Sequence, residues 1–399
     1  MLIGNAAMLA RRSSLEATAI KKSGMEVVHV VRQYKPMVGG LEDTVYNLCV
    51  NLVKHHDIKV RVITLDRLFL APDKKLPRHE FLDGIPVTRI SYFGSSRYPI
   101  APQVLREICT ASLVHVHAID FFFDYLALTS LLHRKPLVAS THGGFFHTNF
   151  ASRLKKFYFQ TMTRLSGRCY RALCASSEND ATAFRRIAST KVVTIENGVD
   201  VDKWRNCASL APLRTMIFVG RWSENKVVTV LIDLIAALKT RGAIWSLIIV
   251  GIPDKETETS LRAYVEQLDL TQQVRLRARP NEAEIATLIG EASYIASASR
   301  YEGFGISIIE GMSAGLIPLL SPIPPFQKLH KELGLGVVID ESNLDQSARN
   351  IEQAHAILET SSEDLRERCM ICASKYDWAK TTDQFVEVYR KALDNVSDR

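Results

Sequence analysis

Residues 26–43 read EVVHVVRQYKPMVGGLED. The first seven are mostly β-branched and apolar, as in a strand buried on both faces. A loop then leads to Gly39-Gly40, and a helical pattern runs from about Glu42 to Lys54. Strand, turn and helix in that order form half of a βαβ unit, so the fold depends on whether another buried strand comes next. IKVRVITL (58–65), IPVTRIS (85–91), SLVHVHA (112–118) and PLVAST (136–141) continue the series of buried strands. This alternation predicts a parallel sheet covered by helices on both faces. TIENGVDVDKW (194–204) interrupts it with the Asn197-Gly198 turn signal, and little periodicity follows as far as Pro212. A second series then begins: TMIFVG (215–220), a helix from about Lys226 to Thr240, WSLIIVG (245–251), QVRLRA (273–278) and SYIASAS (293–299).

The expected architecture is α/β, with two doubly wound Rossmann-like domains facing across a cleft. Residues 25–196 form the first domain, 197–213 a linker and 214–377 the second. A last helix within 378–399 is expected to pack back on the first domain, and residues 1–24 are expected to be a disordered leader. Ligands of such sheets bind beyond the carboxyl ends of the strands, so the functional residues belong on the loops that follow them.

Composition narrows the class. At 399 residues and 47% hydrophobic, the chain can build two cores. No uncharged apolar run reaches the ~18 residues of a membrane span. The opening segment is unlike a signal peptide, because Arg11-Arg12 follow its short apolar run instead of preceding it. Seven scattered cysteines point to a reducing compartment. Cys369 and Cys372 form a CxxC with no second pair, which in a helical context reads as core. Residues 1–200 carry 27 Lys/Arg against 16 Asp/Glu, whereas the remainder carry 23 against 27. A basic half beside an acidic half implies an anionic partner for the first.

Three strand-end loops carry the chemistry. Gly39-Gly40 precedes a helix, where backbone N–H groups and the helix field suit an anion. It is not the GxGxxG of a nicotinamide fold. GRWSENK (220–226) places Arg221 and Lys226 after the second domain's first strand, and two fixed cations there suit a diphosphate. RYEGFGISIIEGMSAG (300–315) places Gly303, Phe304 and Gly305 at the start of a helix, with Glu302 before it and Glu310 within it. A nucleotide sugar has hydroxyls at both ends and a diphosphate between. Glu310 could accept hydrogen bonds from the ribose and Glu302 from the sugar, while the glycine backbone faces the diphosphate with Arg221 and Lys226 opposite.

Together these motifs resemble the retaining glycosyltransferases of family 4, whose fold is called GT-B. The resemblance spans about residues 25–395 and rests on E-x7-E (Glu302, Glu310), G-R-x4-K (Arg221, Lys226), Gly39-Gly40 and the ENGVD joint at 196–200. It implies a nucleotide diphosphate sugar as donor, anomeric retention, no cofactor and no essential metal. In STHGGFFHT (140–148), His142 matches a histidine that contacts the donor sugar near the reacting carbon, and His147 lies close by. With Glu302, His142 is the candidate catalytic residue. Val227-Val228 depart from the family, in which many members place glycine after the lysine.

VVRQYKPMVGGLED, HVHAIDFFFDYLAL and STHGGFFHTNFASRLKK look, at finer grain, like the mannosyltransferases of xanthan- and acetan-type exopolysaccharide synthesis. That likeness implies GDP-mannose as donor and a cellobiosyl group on a polyprenyl diphosphate as acceptor, joined α-1,3. RLKKFYFQTMTRLSGRCYR (153–171) has six Lys/Arg, no acid and three adjacent aromatics. Such a helix suits an anionic bilayer surface, with Lys155, Lys156 and Arg164 as its contacts. A nucleic-acid patch is the rival, but no binding motif accompanies it. The expected location is cytoplasmic, at the inner face of the cell membrane. A UDP-sugar transferase, a nucleotide-sugar epimerase of the same architecture and a non-catalytic sugar-nucleotide-binding subunit remain open from the residues alone.

Overall fold

Val, Ile and Leu crowd the central strands because both faces of each sheet are covered, and burial along those strands is nearly unbroken, whereas the edge strands are partly exposed. β1 (Glu26–Val30) is followed by α1 (Gly40–His56), β2 (Lys59–Leu65), β3 (His79–Leu82), β4 (Ile85–Ile90) and β5 (Leu113–His117). Then come α2 (Phe121–Leu128), β6 (Leu137–Ser140), β7 (Ala172–Ala175) and β8 (Val192–Thr194). These strands form one sheet in the order β8-β7-β6-β5-β1-β2-β4-β3, parallel except for the edge strand β3. The chain builds outward from β1 through β2 to β4, then returns to lay β5 on the other side of β1. The strand order therefore reverses between β1 and β5.

The second sheet repeats the plan. β9 (Thr215–Val219), α3 (Val228–Thr240), β10 (Ser246–Gly251), β11 (Val274–Ala278), β12 (Tyr294–Ser297), α4 (Ile306–Ser313), β13 (Ile317–Leu320) and β14 (Val337–Val338) follow in sequence. The order is β11-β10-β9-β12-β13-β14, all parallel, with the reversal between β9 and β12. Gly251 shows how closely these strand ends approach. Its φ is +145°, and a Cβ there would lie 1.8 Å from the Gly220 carbonyl oxygen.

The computed structural model describes residues 24–37, 39–96, 98–142, 157–253 and 257–397. Two units divide it: one runs to Glu196 and resumes at Thr381, and the other is Asn197–Lys380. A 30-residue helix, α5 (Leu344–Ala373), bends at Ser361 and buries Cys369 and Cys372 in the core of the second unit. Burial raises both thiols' pKa, so they behave as small hydrophobes. The last helix, α6 (Trp378–Ser397), carries the chain back to the first unit, where Tyr389 is fully buried. No described helix is long and apolar enough to cross a membrane. The expected leader, residues 1–24, lies outside the described residues apart from Gly24.

Five strands of the two sheets had no clear sequence signal, the short edge strand β3 (HEFL) among them. β7 (ALCA) and β8 are too short to show alternation, and β14 has only two residues. β13 contains Pro318, which argues against an interior strand because proline has no N–H to donate. The sheet accommodates it because pairing with β14 begins only at Leu319.

Candidate active site

The reversal of strand order in the second sheet brings the loop after β9 beside the loop after β12. Two hydrogen bonds fasten them together: Arg300 N donates to the Asn225 carbonyl at 3.1 Å and the Asn225 side-chain Nδ2 to the Tyr301 carbonyl at 2.8 Å. Trp222, fully buried, anchors the first loop through its backbone N–H to the Ile252 carbonyl at 2.9 Å. On this frame Lys226 forms an ion pair with Glu302, whose carboxylate also accepts from Ser299 Oγ at 2.8 Å. Lys226 is therefore held beside Glu302. Arg221 is exposed and makes no ion pair among the described residues. Its guanidinium is available to a ligand.

Gly305 is the N-cap of α4 at φ +89°, and a Cβ there would lie 2.6 Å from Phe326, so only glycine fits. No side chain caps this helix, which leaves its first N–H groups for a ligand. At Gly303 a Cβ would meet nothing within 4 Å, so the protein itself does not demand glycine there; close approach of a ligand would. Phe304 is occupied differently, packing edge-on against Tyr376 at 5.3 Å.

Glu310 has its own cation. Lys203 Nζ lies 3.6 Å away, bridges to Glu282 at 3.3 Å and sits 4.3 Å over the Trp204 ring. Burial raises the Glu310 pKa, and Lys203 partly offsets the shift. Each glutamate of the pair is thus matched by one lysine. Sequence reasoning found Lys226 but missed Lys203, whose only signal was its place in the ENGVDVDKW joint.

In the first unit, Gly39 caps α1 without a side-chain hydrogen bond, and Gly40 is open to its surroundings. Neither is in the left-handed region; a Cβ at Gly39 would lie 2.5 Å from the Glu42 carboxylate, so Gly40 is the one that reads as a place for close approach. Lys35 pairs with Asp43 of the first turn of α1 at 2.6 Å. Arg32, after β1, meets Asp120, after β5, at 2.9 Å. Burial pushes Asp120 up to about 6, while Arg32 draws it down. His142 follows β6 at φ +53°, uncommon outside glycine and found at functional sites. Its Nε2 lies 2.9 Å from His117 Nδ1, and burial lowers its pKa to about 4, so it is neutral at pH 7. His147, Lys155 and Lys156 lie outside the described residues. Arg164 is exposed, in a stretch that is helical throughout residues 157–167 and takes π-helical form over Phe159–Thr163.

Two family profiles match in tandem, "Glycosyltransferase Family 4" over residues 38–203 and "Glycosyl transferases group 1" over 207–391. The chain is 44% identical over 371 residues to the GDP-mannose:cellobiosyl-diphosphopolyprenol alpha-mannosyltransferase of Xanthomonas campestris, covering 92% of this chain and 97% of that one. The chain belongs to glycosyltransferase family 4. It is a hexosyltransferase of GT-B fold. A second family-4 relative, the enzyme of the same name from Komagataeibacter xylinus, is 42% identical over 94% of this chain and 95% of its own. The phosphatidyl-myo-inositol mannosyltransferase of Mycobacterium tuberculosis is 27% identical over 80% and 85%. Among solved structures, a Rickettsia africae glycosyltransferase matches with TM-score 0.71 at 16% identity, covering 94% of this chain and all of that one. Anabaena HepE in complex with UDP matches at 0.69 and 18%, covering 92% and 100%. At those identities the likeness speaks for the GT-B fold alone.

Proposed function

We propose that this family-4 enzyme transfers mannose from GDP-mannose to cellobiosyl diphosphopolyprenol, with retention at the anomeric carbon. The observation that carries this reading is 44% identity across nearly the full length of a relative with that activity in its name. The paired Lys226–Glu302 and Lys203–Glu310 arrangements support it.

Arg221, Lys226 and the uncapped start of α4 hold the diphosphate, supplying positive charge without a metal. Glu310 accepts from the ribose and Glu302 from the mannose. His142 stabilises charge developing near the reacting carbon. As the bond from the anomeric carbon to the diphosphate oxygen breaks, the acceptor hydroxyl attacks from the same face. Its proton passes to the departing phosphate oxygen, so no side-chain nucleophile is consumed.

The acceptor's lipid places the enzyme at the inner face of the cell membrane, with the first unit toward the bilayer. In support, Arg164 is flanked by exposed Met162 and Leu165, and Leu128 at the end of α2 and Leu131 and Leu132 in the short helix after it (Ser130–His133) are also exposed. Ser166 Oγ donates to Asp124 of α2 at 2.7 Å, which ties the two segments together.

The test is mass spectrometry of products from purified protein, a panel of nucleotide sugars and the lipid-linked disaccharide, with and without EDTA. One hexose should pass from GDP-mannose to the lipid in both conditions. Release of nucleoside diphosphate without lipid, preference for a UDP-sugar, or loss of activity in EDTA would contradict the reading.

A further inference from the structure

Four histidines cluster where the first sheet reverses its strand order: His29 on β1, His115 and His117 on β5, and His142 just past β6. Alternation puts His115 and His117 on one face of β5, and parallel register puts His29 beside His115. The first three are fully buried. His29 Nδ1 lies 2.9 Å from His117 Nε2, and His117 Nδ1 lies 2.9 Å from His142 Nε2. His115 stands apart from this line, with its Nδ1 on the Tyr389 hydroxyl and its Nε2 on Ser140 Oγ, both at 2.8 Å.

We propose that His29 and His117 are positioning residues that fix which nitrogen of His142 carries its proton. The proposal rests on the reading of His142 as a residue that acts on the donor sugar. Burial holds all these rings neutral. A neutral imidazole has one N–H and one bare nitrogen. In a line of three joined Nδ1-to-Nε2, each ring must adopt the same tautomer or a contact between like nitrogens results. The far end chooses which. His29 Nε2 is buried with no partner, and a buried N–H without an acceptor is the rarer and costlier orphan. His29 Nε2 is therefore bare. His29 Nδ1–H donates to His117, His117 Nδ1–H donates to His142 Nε2, and His142 keeps its proton on Nδ1. His142 is thereby a donor at Nδ1 and is unable to act as a base at Nε2. Nitrogens of His29, His115 and His117 come within 4.8 Å of one another, as a metal site requires. A cation there would take the lone pairs that the relay uses, so the two arrangements exclude each other.

Long-range nitrogen-15 NMR of histidine-labelled protein, assigned with single substitutions, reads the tautomers directly. Protonated Nδ1 and bare Nε2 on His29, His117 and His142 are expected. Nε2–H on any of the three, or a stoichiometric metal in elemental analysis, overturns the proposal. Kinetics separate positioning from folding. In His117→Asn the amide reaches about where Nδ1 stood and can donate to His142; in His117→Leu nothing can. His117→Leu is expected to lower kcat by about 10–100-fold, as when the outer partner of a working histidine is removed, with the donor KM changed little. His117→Asn should recover much of that loss at a similar melting temperature. Equal losses in the two variants overturn the positioning role. Full activity in His142→Ala would instead overturn the reading of His142, whatever the tautomers are.

Discussion

Lys226 and Glu302, 76 positions apart in sequence, form an ion pair at the point where the second sheet reverses its strand order. Both side chains are largely buried, so the pair is a fixed part of the site.

Removing either partner should therefore damage more than one contact. Lys226→Ala is expected to raise the donor KM and lower kcat, and Glu302→Gln to lower kcat by roughly 10²–10³, the usual loss for a preorganised polar group at the reacting centre. Steady-state kinetics with the donor varied would check both. A Glu302→Gln enzyme within threefold of wild type would remove that residue from the mechanism.

Lys203 should matter through Glu310. Burial raises the Glu310 pKa and Lys203 counters it, so Lys203→Met should raise it further. A protonated Glu310 loses acceptor capacity for the ribose. The donor KM of Lys203→Met should rise more steeply than that of wild type as pH falls from 8 to 6. Parallel KM profiles would contradict this.

Val227 is β-branched yet sits at φ +44°, ψ +48° between Lys226 and α3. The left-handed region costs a non-glycine residue about 1–2 kcal/mol, against roughly 0.5–1 kcal/mol of extra backbone entropy for glycine. Val227→Gly should stabilise the protein by about 0.5–1 kcal/mol in denaturant unfolding. A lower urea midpoint would show that the valine's packing outweighs its strain.

Acid should destabilise the first unit through its histidines. Burial depresses His29 to about 3 and His142 to about 4, and His115 and His117 also lie well below 6.5. Below 6.5 the unfolded chain binds protons that the folded one refuses. The stabilising contribution is therefore complete above 6.5 and lost as pH falls toward the folded values, by up to about 1.4 kcal/mol per pH unit for each group. The urea midpoint should drop clearly between pH 7.5 and 5.5, and less so in His29→Leu.

The buried strands of both sheets were legible because long Val/Ile/Leu runs have few other uses, and the loops after β9 and β12 could be placed from strand order alone. Pro318 hid β13, since the local rule against proline was outweighed by the sheet's pairing pattern. Lys203 was hidden because its partner Glu310 lies on an element more than a hundred residues on. His29 and His117 read as ordinary strand residues; only the register of β1, β5 and β6 brings their nitrogens into line. Val227 was visible as a departure from the family's glycine, but its left-handed backbone was not.

Everything proposed for the donor depends on the loops after β9 and β12 gripping a nucleoside diphosphate. Calorimetric titration of GDP into wild type and the Arg221→Ala/Lys226→Ala double variant tests this most directly. Charge-assisted hydrogen bonds contribute about 1.5–3 kcal/mol each, so the double variant should bind at least ~100-fold more weakly. Binding within threefold of wild type, with the fold intact, would contradict the account.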